Sequence, residues 1–182
     1  SAVRMALGLL WRHPARAHEI LVSLLTAAYF AWALPHGDVA HIHATFASVP
    51  ATVGLFLAEI LGVSFSFAAH ARDLFTNEAS FLDVKAREAE FAVTCTEVGC
   101  HHLRQYFPVR ARSRLQMIRH GVDLTRFAAL PHRLSKRPYI LSAGRLVPKK
   151  GYPHLLRAAA VLVNRDFDFD LHIFGSGPQR DE

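Results

Sequence analysis

Tyr139 to Gly151 reads Tyr-Ile-Leu-Ser-Ala-Gly-Arg-Leu-Val-Pro-Lys-Lys-Gly. A short apolar run, Tyr139 to Ala143, enters a glycine, an arginine, a tight loop and a second glycine, and an amphipathic pattern then begins at Pro153. That is the order of a strand, a loop and a helix. In such a unit the loop's backbone N–H groups and the positive end of the helix gather at one corner with Arg145 and Lys150. Gly144 lets the chain approach a ligand closely. Arg145 offers a planar fork to paired oxygens and Lys150 a compact point charge. The corner suits a diphosphate. A basic surface loop closed by glycine is the plainer alternative, because the spacing is neither a Walker loop nor Gly-x-Gly-x-x-Gly.

Working outward, apolar runs at Val39–Ala44, Val63–Phe67, Phe91–Cys95, Leu115–Arg119 and Asp168–Phe174 read as further strands. Helical patterns precede and separate them, at Ala17–Leu34, Pro50–Leu61, Ser80–Glu90, from Thr96 to about Tyr106, and at Pro153–Val163. Pro50 suits a first turn and Gly62 a stop. Thr96 can cap its helix, which Gly99 weakens. Strands separated by helices predict an α/β protein with parallel sheets and helices on both faces. Thr125 to Pro138 breaks the rhythm with two prolines and several cations, and reads as a linker. The expected organisation is a first α/β unit over 1–124, a linker over 125–138 and a second unit over 139–182. Because only a strand, a helix and a strand follow the linker, the second unit is expected to be a domain just begun.

Composition narrows the class. Of 182 residues, 51% are hydrophobic and 20% charged, which is globular rather than disordered. The net charge is +6, and between Glu97 and Asp166 a single acid, Asp123, faces fourteen lysines and arginines. Such a block implies an anionic partner or, more plainly, a solvated basic face. Cys95 and Cys100 make neither a disulfide framework nor a zinc motif. Reduced thiols and no recognisable signal peptide fit the cytoplasm. Ile20 to Leu34 is almost wholly apolar but shorter than the ~20 residues a spanning helix needs. It reads as a buried core helix, with shallow membrane contact through Tyr29, Phe30 and Trp32 as the alternative.

Ligands of open α/β sheets bind at the carboxyl ends of strands. Four groups qualify: His41 with His43, His70 with Arg72 and Asp73, His120 with Asp123, and Gly144 with Arg145 and Lys150. His41 and His43 are two apart on a strand and face the same way. A metal needs more than two ligands and spacing fixes no third, so no metal is expected. His70 stands where a sheet presents its working groups, and a hydrogen-bonded structural histidine is the alternative.

These residues together resemble the retaining glycosyltransferases of family 4, of GT-B fold. His-Ile-His-Ala-Thr-Phe-Ala at 41–47, Phe-Ser-Phe-Ala-Ala-His-Ala-Arg-Asp-Leu-Phe at 65–75 and His-Gly-Val-Asp at 120–123 look like its acceptor-domain signatures. Gly-Arg-Leu-Val-Pro-Lys-Lys-Gly at 144–151 and Phe-Gly-Ser-Gly-Pro at 174–178 look like the start of its donor domain. The 65–75 segment is similar to a subset associated with bacterial surface and exopolysaccharide assembly. The resemblance implies two Rossmann-like domains across a cleft, the first mostly present and the second only begun. It assigns Gly144, Arg145 and Lys150 to the diphosphate of a nucleotide-sugar donor, with Gly175 and Gly177 in a donor-side loop. It assigns His70 to catalysis near the transferred sugar, and His41, His43, Arg72, Asp73 and His120 to the acceptor side. Donor use would be metal-independent and without a cofactor. The acceptor would be a saccharide or a lipid-linked saccharide, with an anionic membrane surface as a further partner at the cytoplasmic face.

The family's Glu-x7-Glu pair and its glycine-containing N-terminal loop are not in the sequence, so a fragment inactive on its own is expected. Two other readings stand beside this one. An epimerase or phosphorylase of GT-B type keeps the fold and changes the reaction. A non-enzymatic basic module would bind anionic lipid or nucleic acid through Arg104 to Lys150. No nucleic-acid motif is present and the aromatics are not interleaved with the cations, so nucleic acid is not expected.

Overall fold

The computed structural model describes residues 1–34, 37, 39–76, 79–127 and 137–181. They form two compact units, Ser1–Val122 and Asp123–Glu182. Most of the expected linker, 125–138, lies outside the described residues.

In the first unit four parallel strands lie side by side in chain order: β1 (His41–Ala44), β2 (Ser64–Ala69), β3 (Phe91–Thr94) and β4 (Leu115–Met117). Helices α1 (Ala2–Arg12) and α2 (Ala17–Ala33) precede β1. The crossovers hold α3 (Val49–Leu61), then α4 (Ala71–Phe75) and α5 (Leu82–Glu88), then α6 (Glu97–Arg104). The second unit is one parallel βαβ turn: β5 (Tyr139–Ala143), α7 (Tyr152–Val163) and β6 (Asp170–Phe174). Both units are therefore mixed α/β with parallel sheets, as the alternating pattern predicts.

Local chemistry accounts for the boundaries. Pro50 occupies the first turn of α3, where its missing N–H is harmless, and Gly62 ends the helix in the left-handed region at φ 69. The Thr96 hydroxyl accepts the Gly99 N–H at 3.1 Å and caps α6. Gly99 is a packing requirement as well as a helix-weakening residue, since a Cβ there would stand 2.5 Å from Thr94 Oγ1. β6 begins two residues later than the sequence pattern suggests, and Asp168 and Asp170 both pair with Arg137 at the foot of β5.

A sheet that grows in one direction through right-handed crossovers lays its connecting helices on one face. Gly54 of α3 sits against Phe65, Ile42 and Ala44, and Gly99 of α6 against Thr94. Strand alternation and register put all four of those side chains on one side. The sequence predicts helices on both faces; the described crossover helices α3 and α6 share one. The other face carries His41, His43, Ser64, Ser66 and Phe91.

Phe56 of α3 and Phe67 of β2 are fully buried, along with Leu9, Ile20 and Leu103. Each such side chain contributes about 1.5–3 kcal/mol. Helix α2 is not the wholly buried helix its composition predicts. Ile20, Ser23, Ala27 and Ala31 form its inward stripe, while Leu25, Tyr29 and Trp32 are exposed. Helix α1, which the pattern reading leaves out, turns Ala2, Ala6 and Leu9 inward and Val3, Leu7 and Trp11 outward.

Candidate active site

His70 is the residue between β2 and α4. Its backbone N–H donates to Asp73 Oδ2 at 3.1 Å, and the Ala47 N–H, from the loop after β1, donates to the same oxygen at 3.2 Å. One buried carboxylate thus ties together the loops at the carboxyl ends of two neighbouring strands. Lys85 completes the tie. Its Nζ donates to Ala47 O at 2.7 Å and to Ser48 O at 3.0 Å, and the residue is 0% exposed. Ala47 therefore has its N–H on a buried carboxylate and its C=O on a buried amine. Burial pulls the Lys85 ammonium down to about 7, against the opposing influence of the Glu19 and Asp73 carboxylates. Glu19, at the start of α2, accepts from Ser80 Oγ at 2.8 Å and pairs with Arg16 at 3.0 Å, so a second carboxylate braces the same end of the sheet.

This frame sets the surroundings of the His70 ring. Phe46, in the clamped loop, lies 5.4 Å from it between ring centroids, tilted by 58°. His120, after β4, stacks on it at 5.8 Å and 13°. A pocket of about 290 Å³ opens here, lined by Ala68, His70, Thr94, Cys95, His120 and neighbouring residues. The ends of β2, β3 and β4 thus converge on one hollow. His70, Cys95 and His120 each offer a ligand atom there, all within 4.8 Å of one another. No spacing rule reveals this triple, because its members come from three strands, 25 residues apart in each step.

The remaining acceptor-side candidates go elsewhere. His41 places Nδ1 2.6 Å from Ser64 Oγ and Nε2 2.6 Å from Ser66 Oγ, and His43 Nδ1 lies 2.7 Å from the same Ser66 hydroxyl. Both rings stack on Phe91, His41 at 5.6 Å and 2°. Burial first, and the neighbouring His41 second, hold the His43 imidazole below its ordinary value. This is a cross-strand ladder on the sheet face away from α3, and it is not joined to the His70 hollow. Asp73 is buried structure, while Arg72 is exposed, its carbonyl accepting from the Thr76 N–H and hydroxyl.

In the second unit, the loops after β5 and β6 run on as a pair beyond the strands. Gly144 N–H donates to Phe174 O at 2.9 Å, Leu146 N–H to Ser176 O at 2.9 Å, and Gln179 N–H to Leu146 O at 3.2 Å. Glycine makes this approach possible. A Cβ at Gly175 would overlap the Gly144 carbonyl, and one at Gly177 the Leu146 backbone. Gly177 also has φ 155 and ψ 172, a region essentially reserved for glycine. The Tyr152 hydroxyl stands over Gly144, 2.9 Å from where its Cβ would be. Arg145 and Lys150 are exposed on this scaffold, and among the described residues neither head group is taken by a hydrogen bond or ion pair.

Lys85 is the residue that sequence reading misses. Its signal was a lysine in the inward stripe of a short helix, between Leu82 three residues before it and Ala89 four after, both buried. A charged residue in that position needs a buried partner.

The family model of glycosyl transferases group 1 matches residues 129–182, the span that holds β5, α7, β6 and both glycine loops. No curated protein matches the chain significantly. With two parallel α/β units, the match is consistent with a partial GT-B, Rossmann-like fold and supports glycosyl transfer as the general chemistry.

Proposed function

We propose that the chain is part of a retaining, family 4 glycosyltransferase of polysaccharide biosynthesis. Its donor is a nucleotide-diphosphate sugar, and its acceptor a saccharide or lipid-linked saccharide. The observation that carries this reading is the strand-end loop of the second unit. It lies inside the family match and holds two exposed cations that no other described residue engages. Breaking the anomeric bond leaves negative charge on the departing diphosphate. Arg145 and Lys150, held by a glycine-packed loop, are preorganised to stabilise that charge without a metal ion. The sugar develops oxocarbenium character, and retention requires attack on the leaving-group face. His70 is assigned to the transferred sugar, since it stands in a hollow at a sheet's carboxyl end on a doubly tied loop.

Calorimetric titration of the full chain with UDP, GDP and ADP tests the donor half. At least one nucleoside diphosphate should bind, and Arg145→Ala or Lys150→Ala should weaken it about 10- to 100-fold, the loss of one charge-assisted contact. Unchanged affinity in both variants would sink the assignment. Single-stranded nucleic acid bound with a steep salt dependence would favour the basic-module alternative instead. Product analysis with a labelled nucleotide sugar separates transfer from epimerisation.

A second observation supports contact with a membrane surface, which this reading places at the cytoplasmic face. Val3, Leu7 and Trp11 recur on one face of α1, with Arg4 and Arg12 on the same helix, and α2 adds Leu25, Tyr29 and Trp32. No described helix is long and apolar enough to cross a membrane. An interfacial helix pair fits these two facts. Flotation of the chain with vesicles containing phosphatidylglycerol should exceed flotation with neutral vesicles, and Trp11→Ala with Trp32→Ala should abolish the gain.

A further inference from the structure

We propose that His70, Cys95 and His120 form a binding site for a borderline-soft divalent cation such as Zn²⁺. The three side chains come from the carboxyl ends of adjacent parallel strands, whose spacing of about 4.8 Å brings equivalent positions into range of one ion. Their ligand atoms all lie within 4.8 Å of one another. A tetrahedral zinc with bonds of about 2.0–2.3 Å needs its ligands about 3.5 Å apart, so side-chain rotation has roughly 1 Å to close. Two imidazoles and a thiolate are the donor set that zinc and cobalt prefer over magnesium or calcium.

The surroundings suit an ion that enters and leaves. The pocket is about 290 Å³, and His120 on its rim is exposed. Three protein ligands leave a fourth position for water. Among the described residues the Cys95 thiol and the His120 ring make no hydrogen bond that the ion would have to break. Binding converts the Cys95 thiol to a thiolate and releases its proton to solvent. Arg119 also lines the pocket, and its charge limits the affinity for a dication.

One consequence rests on the proposed function, although the binding itself does not. An occupied site takes the His70 ring away from the transferred sugar, so the ion would act as an inhibitor of a metal-independent reaction. Nucleoside diphosphate binding through Arg145 and Lys150 would be unaffected. Failure of the metal site and failure of the donor site are therefore read by separate titrations.

The test is titration of the full, reduced chain with Co²⁺, followed by displacement with Zn²⁺. One equivalent of Co²⁺ should bind with a thiolate-to-cobalt charge-transfer band, and Zn²⁺ should remove that band. Cys95→Ser should abolish the band, and His120→Ala should weaken Zn²⁺ binding at least tenfold. The double variant His41→Ala, His43→Ala removes a histidine pair outside the hollow and should bind as the parent does. Cys95→Ala and amide spectra of every variant guard against loss of fold. The proposal is overturned by a missing band in the parent, by a band that survives Cys95→Ser, or by Zn²⁺ affinity indifferent to His120→Ala.

Discussion

The two strand-end corners of the molecule are built in opposite ways. In the first unit, buried charges hold the loops: Asp73 and Lys85 grip the N–H and C=O of Ala47, and the carboxylate also grips His70. In the second, glycine and backbone hydrogen bonds hold the loops, and the charged side chains stay outside. A corner braced by charge is tied to pH and spends its ionisable groups on structure. A corner braced by glycine is indifferent to pH and leaves its cations free for a ligand.

Breaking each brace gives the largest effects. Gly177→Val asks a β-branched residue to adopt φ 155 and to overlap the Leu146 backbone. We expect a loss of about 3 kcal/mol or more from local strain and overpacking. Hydrogen exchange reads it as faster exchange at the Gly144 and Leu146 amides, with the first unit unchanged. Lys85→Ala leaves a cavity and two orphaned carbonyls and should cost about 2–4 kcal/mol in chemical denaturation. Lys85→Met fills the cavity and should cost less.

The pH dependence sharpens the contrast. Below about 7 Lys85 is protonated both folded and unfolded, and the cost of burying its charge is constant. Between about 7 and its ordinary 10.5 only the unfolded chain keeps the proton, so its contribution to stability rises with pH. The parent should therefore gain stability relative to Lys85→Met from pH 7 to pH 10, whereas a parallel shift of the two would count against the buried amine. His43 acts on the acid side. Its folded value is depressed, so the unfolded chain binds more protons below the ordinary 6.5 and stability falls as pH drops through that value. His43→Gln should flatten that slope. Smallest of all, Arg145→Ala should change stability by no more than about 0.5 kcal/mol, as expected for an exposed side chain. A larger loss would make Arg145 part of the brace and erase the difference between the corners.

What the chain's letters disclose follows the same division. Strand–loop–helix order, the Pro50 and Gly62 boundaries and the Thr96 cap are local, and all are readable. So is the diphosphate corner, because its cations and glycines are contiguous. The side to which helices pack depends on strand order, which apolar runs do not encode, and the His41–His43 face, away from α3 and α6, is not readable for that reason. The His70–Cys95–His120 hollow and the Lys85 clamp join residues from separate crossovers. Only Lys85 left a trace, a cation in the inward stripe of α5.

The outward faces of α1 and α2 have a practical consequence. The chain has two tryptophans, and both lie there: Trp11 on α1 and Trp32 on α2, 86% and 77% exposed. Tryptophan fluorescence of the folded protein therefore comes from one helix pair in water. It is a built-in reporter for whatever covers that surface, and it takes no direct signal from either strand-end corner.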